Sequence, residues 1–201
     1  MSLASQSWRS ISIHDVVAEF LLNERYKAAQ ILLPHSPEHM AVVDAPDIKD
    51  PRENHFRLRL LYYFRCQLMC EIPPDTQWFE VQNLGQEELS ELRVAGRCGW
   101  DDPVDNNELL NVAVRRPSVL KADPATWRKP ILWGHDRNGP FTILEGNNRL
   151  TAYVSDGAKQ NTLSIPVQIG LSSLPCVFHL PDPPVILAND LWKKPFPPFS
   201  Y

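Results

Sequence analysis

The stretch Phe141–Tyr153 reads Phe-Thr-Ile-Leu-Glu-Gly-Asn-Asn-Arg-Leu-Thr-Ala-Tyr, and it decides how the second half of the chain is organised. Its first four residues are apolar or β-prone and predict a strand that ends at Glu145-Gly146. The polar run Asn147–Arg149 then opens a segment with helical spacing. A strand that turns on a glycine into a helix gathers unpaired backbone N–H groups and the positive end of the helix dipole at one point. This arrangement is typical of a phosphate or carboxylate site.

Each residue of this turn is a candidate for a distinct role. Gly146 would let the backbone approach a ligand, and the amides of Asn147, Asn148 and Arg149 would donate to its phosphate oxygens. The Arg149 guanidinium would add a permanently charged, forked donor. Glu145 would hold a magnesium ion that bridges phosphates, or act as a catalytic base. A plain turn, a helix cap and a surface ion pair also explain these residues, because short glycine motifs match by chance.

His135 is the second candidate catalytic residue, as a proton shuttle. It stands in a predicted hairpin whose strands are Ile131–Trp133 and Phe141–Leu144. The dipeptide Asn138-Gly139 predicts a two-residue turn, because both residues tolerate positive φ. An ordinary polar turn residue is the alternative interpretation of His135.

The first half of the chain predicts helices. Ser12 and Asp15 have the spacing of a helix start, and the apolar stripe that follows predicts a helix over about 13–29. A proline-broken loop with His35 and His39 comes next. Pro51 then suits the first turn of a second helix, which should end before the prolines at 73 and 74.

The second half mixes strands with helices, so the predicted fold class is α+β with a small mixed sheet. The further predicted elements are a strand at Gln77–Val81, helices within 86–94, at 107–114 and at about 147–156 with Gly157 as its C-cap, and strands at Ile165–Ile169 and Cys176–Leu180. We expect a helical portion packed on the core at 1–75, an α+β core at 76–180 and a Pro-rich tail at 181–201.

Composition and charge limit the partners and the compartment that we expect for the protein. The 201 residues are 43% hydrophobic, and the formal net charge is −4. A protein that depends on non-specific DNA contacts is usually basic, so we do not expect duplex DNA as a partner. The sequence has neither a secretory signal pattern nor an apolar run of the roughly 18 residues that span a membrane. We therefore expect a cytoplasmic protein without a membrane partner.

The motif Glu145-Gly146-Asn147-Asn148-Arg149-Leu150-Thr151-Ala152, placed after a strand, resembles the phosphate-binding motif of the ParB/sulfiredoxin-like superfamily. The resemblance covers about 76–180: an earlier strand with an acidic flank, a short helix, a hairpin that leads into the motif, and an Ile-Pro-Val strand. It implies a nucleotide site at Gly146–Arg149. We expect the cofactors to be Mg²⁺ and a nucleoside tri- or diphosphate, ATP or ADP rather than CTP.

Members of that superfamily differ at the motif. The sulfinic acid reductases carry a catalytic cysteine where this chain has Asn147. The partition proteins continue into a helix-turn-helix DNA-binding domain, which residues 181–201 do not provide. The free serine kinases carry an acidic-Gly-His-Thr-Arg motif, which Glu145, Gly146 and Arg149 match. The kinase-like interpretation therefore agrees best with the sequence, with an acceptor substrate that the motif does not name. Fic-type nucleotidyl transferases give only a partial match, because Gly139 stands in place of their essential histidine.

Three functions follow as expectations. The first is a nucleotide-dependent phosphotransferase or a nucleotide phosphohydrolase. The second is a non-catalytic nucleotide-sensing or protein-interaction module, which would bind a protein partner or a second copy through the N-terminal helices or the Pro-rich tail. The third is a DNA-associated, nuclease-like protein, against which the acidic charge balance argues.

Overall fold

A computed structural model describes residues 6–34, 37–85, 88–89, 91–94, 127–155, 162–163 and 165–173. These residues form two compact units. Residues 12–70 make a helical unit, and residues 6–11 join the described residues from 71 onward in a sheet unit. The predicted helix at 107–114, strand at 176–180, cap at Gly157, tail at 181–201 and most of the connector before residue 127 lie outside the described residues. Among the described residues, no helix has the length and apolar character needed to cross a membrane.

The helical unit begins where the sequence predicts. The Ser12 hydroxyl accepts from the Asp15 N–H (3.2 Å), and the Asp15 carboxylate accepts from the Ser12 N–H (2.8 Å), which is a complete capping box. The helices are α1 (Ile13–Asn23), α2 (Arg25–Leu32), α3 (Met40–Asp44) and α4 (Pro51–Glu71), with a 3₁₀ turn at Pro37–His39. The structure thus confirms the predicted start of α4 at Pro51.

Two predictions for this unit, a single helix over 13–29 and a loop after it, are wrong in part. The single helix predicted over 13–29 ends at Asn23, because Glu24 leaves helical geometry (φ −99°, ψ 22°) and becomes the N-cap of α2. Its carboxylate forms ion pairs with Lys27 and Arg65. The predicted proline-broken loop also contains the 3₁₀ turn and α3, and it places His39 against the ring of Phe56 with the centroids 4.9 Å apart.

The sheet unit is built on a six-stranded mixed sheet of β1 (Arg9–Ile11), β2 (Gln77–Val81), β4 (Arg93–Val94), β5 (Ile131–Gly134), β6 (Thr142–Glu145) and β8 (Val167–Leu171). The strand order across this sheet is β1-β2-β8-β5-β6-β4. Strands β3 (Leu84–Gly85) and β7 (Thr162–Leu163) form a separate pair. Strand β8 is antiparallel to β2 and parallel to β5, and β4 is parallel to β6. The predicted α+β class and the mixed sheet are therefore confirmed.

Details of this unit differ from the prediction. Strand β1 was not predicted, and β4 replaces the end of the helix predicted within 86–94, of which residues 88–89 are helical. The predicted two-residue hairpin turn at Asn138-Gly139 is also wrong. Asp136 accepts the Asn138 N–H at its side chain (2.7 Å) and the Gly139 N–H at its carbonyl (3.4 Å), so the connection starts earlier and spans residues 135–141. Among the described residues, positive φ occurs at Gly139 (81°) and Gly146 (97°).

The two faces of the sheet carry different residues, because side chains alternate along each strand. On one face, Phe79, Ile169, Leu132 and Ile143 lie in one register row, and Ile169, Leu132 and Ile143 belong to a buried apolar cluster. Helix α5 (Asn147–Ser155) packs on this face through Leu150, which is fully buried. We call this face of the sheet the helix face. The opposite face carries Trp78, Glu80, Gln168 and Trp133.

Candidate functional site

The turn between β6 and α5 has the predicted strand–glycine–helix form. Gly146 is buried, and its carbonyl accepts from the N–H groups of Arg149 (3.1 Å) and Leu150 (3.0 Å). Gly146 is therefore the N-cap residue of α5. The amides of Asn147 and Asn148 occupy the first two helical positions, where α-helix geometry supplies no acceptor. Both amides thus lie at the positive end of a nine-residue helix.

Only glycine suits position 146 without strain. Its φ of 97° lies in a region that L-residues rarely adopt. A Cβ added there would lie 3.3 Å from Arg149 Nη2 and 3.3 Å from Pro130 Cβ. The absence of a side chain at Gly146 therefore leaves the space over which the Arg149 guanidinium lies.

Arg149 folds back over the turn between two oxygen groups. Its Nη1 donates to the carbonyl oxygen of Arg128 (3.1 Å), and its Nη2 lies 3.6 Å from Glu145 Oε1. The Glu145 and Arg149 side chains are each 18% exposed. The structure thus brings together Glu145, Gly146 and Arg149, as the sequence predicts, with the cation half-buried at the helix start.

Asn147 and Asn148 are half-buried beside this pair. Asn147 Oδ1 is buried and has no hydrogen-bond partner in the described part of the chain. A buried acceptor without a donor costs stability, so such an atom in a native site calls for a partner. A cation or a donor group of a ligand at the turn would supply one.

A short segment, Trp127–Pro130, runs beside the turn, and we call it the 127–130 segment. The Trp127 ring packs edge-to-face on Tyr153 of α5 with the centroids 6.1 Å apart. Burial raises the pKa of the Tyr153 phenol. The carbonyl of Pro130 accepts from the N–H of Gln168 (3.0 Å). These contacts hold the segment against both α5 and the sheet.

On the opposite face, Glu80 is a buried carboxylate between two cations. Its Oε1 lies 2.7 Å from Arg9 Nη2, and its Oε2 lies 2.6 Å from Lys129 Nζ, with its side chain 7% exposed. Burial alone would raise the pKa of Glu80, but the hydrogen bonds from Lys129 and Arg9 outweigh it and lower the pKa. No local pattern in the sequence marks Glu80, because its partners Arg9 and Lys129 lie in other segments of the chain.

His135 does not join Glu145. It is exposed at the hairpin connection, where its Nδ1 lies 3.3 Å from the carbonyl oxygen of Ser172 and its ring lies 5.1 Å from that of Trp133. Glu145 pairs with Ile131 at the other end of the same hairpin. At about 3.3 Å per residue, the length of β5 puts roughly 13 Å between them.

Within the described ranges, no three His, Cys, Asp or Glu side chains gather in a way that would hold a metal ion. No protein-family model, curated protein or solved structure matches the chain. The resemblance to the ParB/sulfiredoxin-like superfamily therefore rests on the motif at Glu145–Ala152 and on the elements around it.

Proposed function

We propose that the protein binds the phosphates of a nucleotide at Gly146–Arg149 and is a nucleotide-dependent phosphotransferase of the kinase type or a nucleotide phosphohydrolase. One observation carries the proposal. The turn at Gly146, with its φ of 97°, sets the Arg149 guanidinium and the first amides of α5 at one point. Backbone donors, the helix dipole and a forked cation there are what a phosphate group requires.

The ligand would compete with Glu145 for Arg149. The present contact between Arg149 and Glu145 is 3.6 Å long, whereas arginine binds phosphate through two parallel, shorter hydrogen bonds. Phosphate oxygens would accept from Arg149 and from the amides of Asn147 and Asn148. The guanidinium would thus pass from its own chain's carboxylate to the ligand.

The residues present fit a magnesium ion as part of the ligand. Mg²⁺ in nucleotide sites is bound through one or two protein oxygens together with the substrate phosphates. Glu145 would supply a carboxylate, and Asn147 Oδ1, which has no hydrogen-bond partner among the described residues, would supply a second oxygen. When bound, the ion would neutralise charge on the phosphates that are transferred or hydrolysed. The chain's own part is to hold those phosphates at the turn.

A non-catalytic nucleotide-sensing module is the second candidate. The observation that favours it is the position of His135, which lies at the far end of the hairpin from Glu145. A bound nucleotide would then act by ordering the turn, and the partner would be a protein or a second copy of the chain. The enzyme and the sensing module would bind the phosphates through the same residues. They would differ in whether Glu145 is needed for the function.

The first test is calorimetric binding of ATP, ADP, CTP and GTP with magnesium to the wild-type protein and to the Arg149→Ala variant. We expect adenine nucleotides to bind and binding to be lost in Arg149→Ala. Arg137→Ala is the matched control, because Arg137 lies over the rings of Trp8 and Phe79 at the hairpin end of the sheet. Binding that Arg149→Ala leaves unchanged would remove the proposal.

The Glu145→Gln variant separates the two candidates. It keeps the size of the side chain and removes the carboxylate that would bind magnesium or act as a base. If the protein is an enzyme, hydrolysis or transfer of the terminal phosphate should be lost while nucleotide binding persists. A wild-type protein that binds nucleotide and turns over none of it would favour the sensing module.

A further inference from the structure

We propose that Glu80 is a positioning residue for Arg149. It lies on the opposite face of the sheet from α5 and would act through the 127–130 segment, whose Arg128 carbonyl accepts from the Arg149 guanidinium. The consequence for ligand binding rests on the proposed function. The consequence for the position of Arg149 can be tested without any ligand.

The first link joins Glu80 to Lys129. The carboxylate is 7% exposed and lies 2.6 Å from the Lys129 ammonium, whose side chain is 35% exposed. A buried carboxylate is stable only while it is paired, so removal of a partner carries a large penalty. Lys129 is therefore tied to β2 by a largely buried carboxylate, which has Arg9 as its other partner.

The second link runs along the chain from Lys129 to Arg149. A residue that precedes proline is restricted to extended conformations, and proline fixes its own φ, so Lys129-Pro130 is a stiff unit. The Pro130 carbonyl is fixed by the Gln168 N–H (3.0 Å), and Pro130 lines the space at Gly146. The carbonyl that accepts from Arg149 Nη1 belongs to Arg128, one residue before this unit.

The third link is the balance at Arg149 itself. Its guanidinium lies between the Arg128 carbonyl (3.1 Å) and the Glu145 carboxylate (3.6 Å). If the 127–130 segment moves, Arg149 loses its hydrogen bond to the Arg128 carbonyl, and its attraction to the Glu145 carboxylate becomes the larger interaction. Arg149 would then be held more by Glu145 and would be less available to a phosphate at Gly146.

The matched pair of variants is Glu80→Gln and Arg9→Ala. Glu80→Gln removes the charge that holds Lys129 at nearly unchanged side-chain volume. Arg9→Ala removes the other cation from the same carboxylate (2.7 Å), but Arg9 belongs to β1 and not to the 127–130 segment. A merely structural role of the buried carboxylate would make both variants behave alike.

The ligand-free measurement is the ¹⁵N NMR spectrum of the arginine side chains, with the Arg149 signals assigned from Arg149→Ala. We expect Glu80→Gln to shift the Arg149 guanidinium signals, because the hydrogen bond to the Arg128 carbonyl is lost and Glu145 becomes the stronger partner, while Arg9→Ala leaves the signals as in the wild type. Unchanged Arg149 signals in Glu80→Gln, or equal changes in both variants, would overturn the proposal.

The ligand measurement is the affinity for magnesium-ATP. We expect Glu80→Gln to weaken this affinity about tenfold, the lower end of the loss that follows removal of an outer partner of a metal ligand. Arg9→Ala should keep the wild-type affinity, and an equal loss of affinity in both variants would contradict the proposed route through Lys129. If the wild type binds no nucleotide, the proposed function fails, and the NMR comparison alone decides the positioning role.

Lys129→Met covers the case in which Glu80→Gln does not fold. This variant breaks the same link from its more exposed side and leaves Glu80 paired with Arg9. It should change the Arg149 signals in the same way as Glu80→Gln. Wild-type Arg149 signals in Lys129→Met would contradict the proposed route.

Discussion

Replacement of Gly146 by alanine tests the geometry on which the candidate site depends. At a φ of 97°, an alanine is strained by about 1–3 kcal/mol. The new Cβ would also lie 3.3 Å from both Arg149 Nη2 and Pro130 Cβ, which is shorter than ordinary van der Waals contacts. Against this, alanine reduces the entropy of the unfolded chain, which stabilises the protein by about 0.4–1 kcal/mol. We expect a net loss of about 1–2 kcal/mol in the free energy of unfolding.

Urea unfolding followed by tryptophan fluorescence is the suitable assay for Gly146→Ala. Residues 12–70 contain no tryptophan, whereas the described part of the sheet unit contains Trp8, Trp78, Trp127 and Trp133. Four of the six tryptophans therefore lie in the described part of the unit that carries the substitution. The slope of free energy against urea concentration shows whether the variant unfolds from the same native state.

Gly146→Asn is the matched variant, because asparagine also adds a Cβ but tolerates positive φ better than alanine does. We expect Gly146→Asn to lose less stability than Gly146→Ala. A loss below about 0.5 kcal/mol in the alanine variant, the size of an ordinary surface substitution, would refute the assigned turn geometry. Equal losses in both variants would assign the cost to the contacts of the Cβ rather than to φ.

Two further predictions concern buried charges. Arg57→Met should cost about 1–3 kcal/mol in the unfolding of the helical unit, followed by circular dichroism, because Arg57 is 1% exposed and donates to the buried Val42 carbonyl, which would lose this donor, and to the half-buried Glu53 carboxylate. Arg25→Ala, which breaks a surface ion pair with Asp44, should have a much smaller effect, and an equal effect would contradict the assigned role of Arg57. Because the folded-state pKa of Glu80 is lowered, its stabilising effect is complete above its ordinary pKa of about 4.3 and is lost as the pH falls through the lower folded-state value. Urea unfolding of the sheet unit should therefore show a loss of stability in this acidic range that Glu80→Gln reduces, and an identical pH profile in the variant would contradict it.

Elements with strong local signals were predicted from the sequence. Strand β2 at Gln77–Val81 and the start of α4 at Pro51 have the predicted positions, because aromatic and β-branched composition and a first-turn proline act within a few residues. The break between α1 and α2 at Glu24 was not predicted, because no local signal in the sequence marks it. The apolar stripe continues through Ala28 and Leu32 on the far side of the break, and both side chains are fully buried.

Strand β1 shows what a local signal cannot supply. Arg9–Ile11 is three residues long and two of its side chains are exposed, so neither hydrophobic period nor propensity marks it. It is a strand because it pairs with β2, about 70 residues along the chain, and its Arg9 meets the buried Glu80 there. Pairing of this kind depends on the tertiary structure and is not encoded in a short window.

The contacts of the candidate site likewise include some that a short stretch of sequence indicates and others that depend on the tertiary structure. The turn at Gly146 follows from a glycine after a strand, and Glu145 and Arg149 lie four residues apart around it, which a sequence shows directly. The acceptor at the Arg128 carbonyl comes from 21 residues earlier, and the link from Lys129 to Glu80 spans 49 residues. These contacts decide where the guanidinium lies, and they required the fold.

The charge balance at the turn narrows the ligand that the proposed function requires. Glu145 and Arg149 nearly neutralise each other, so a bare phosphate at Gly146 would gain one cation and meet one carboxylate. Like charges about 4 Å apart near a protein surface repel by about 4 kcal/mol, which is comparable to what a forked arginine contact supplies. A phosphate that arrives with a magnesium ion brings a counter-charge for Glu145, and Arg149 becomes available to the phosphate oxygens at the same step. On the proposed function, a turn that carries both a carboxylate and a cation is therefore suited to a metal–nucleotide complex rather than to a free anion. The 127–130 segment offers Arg149 a neutral acceptor, the Arg128 carbonyl, and so limits the closer approach of the guanidinium to Glu145.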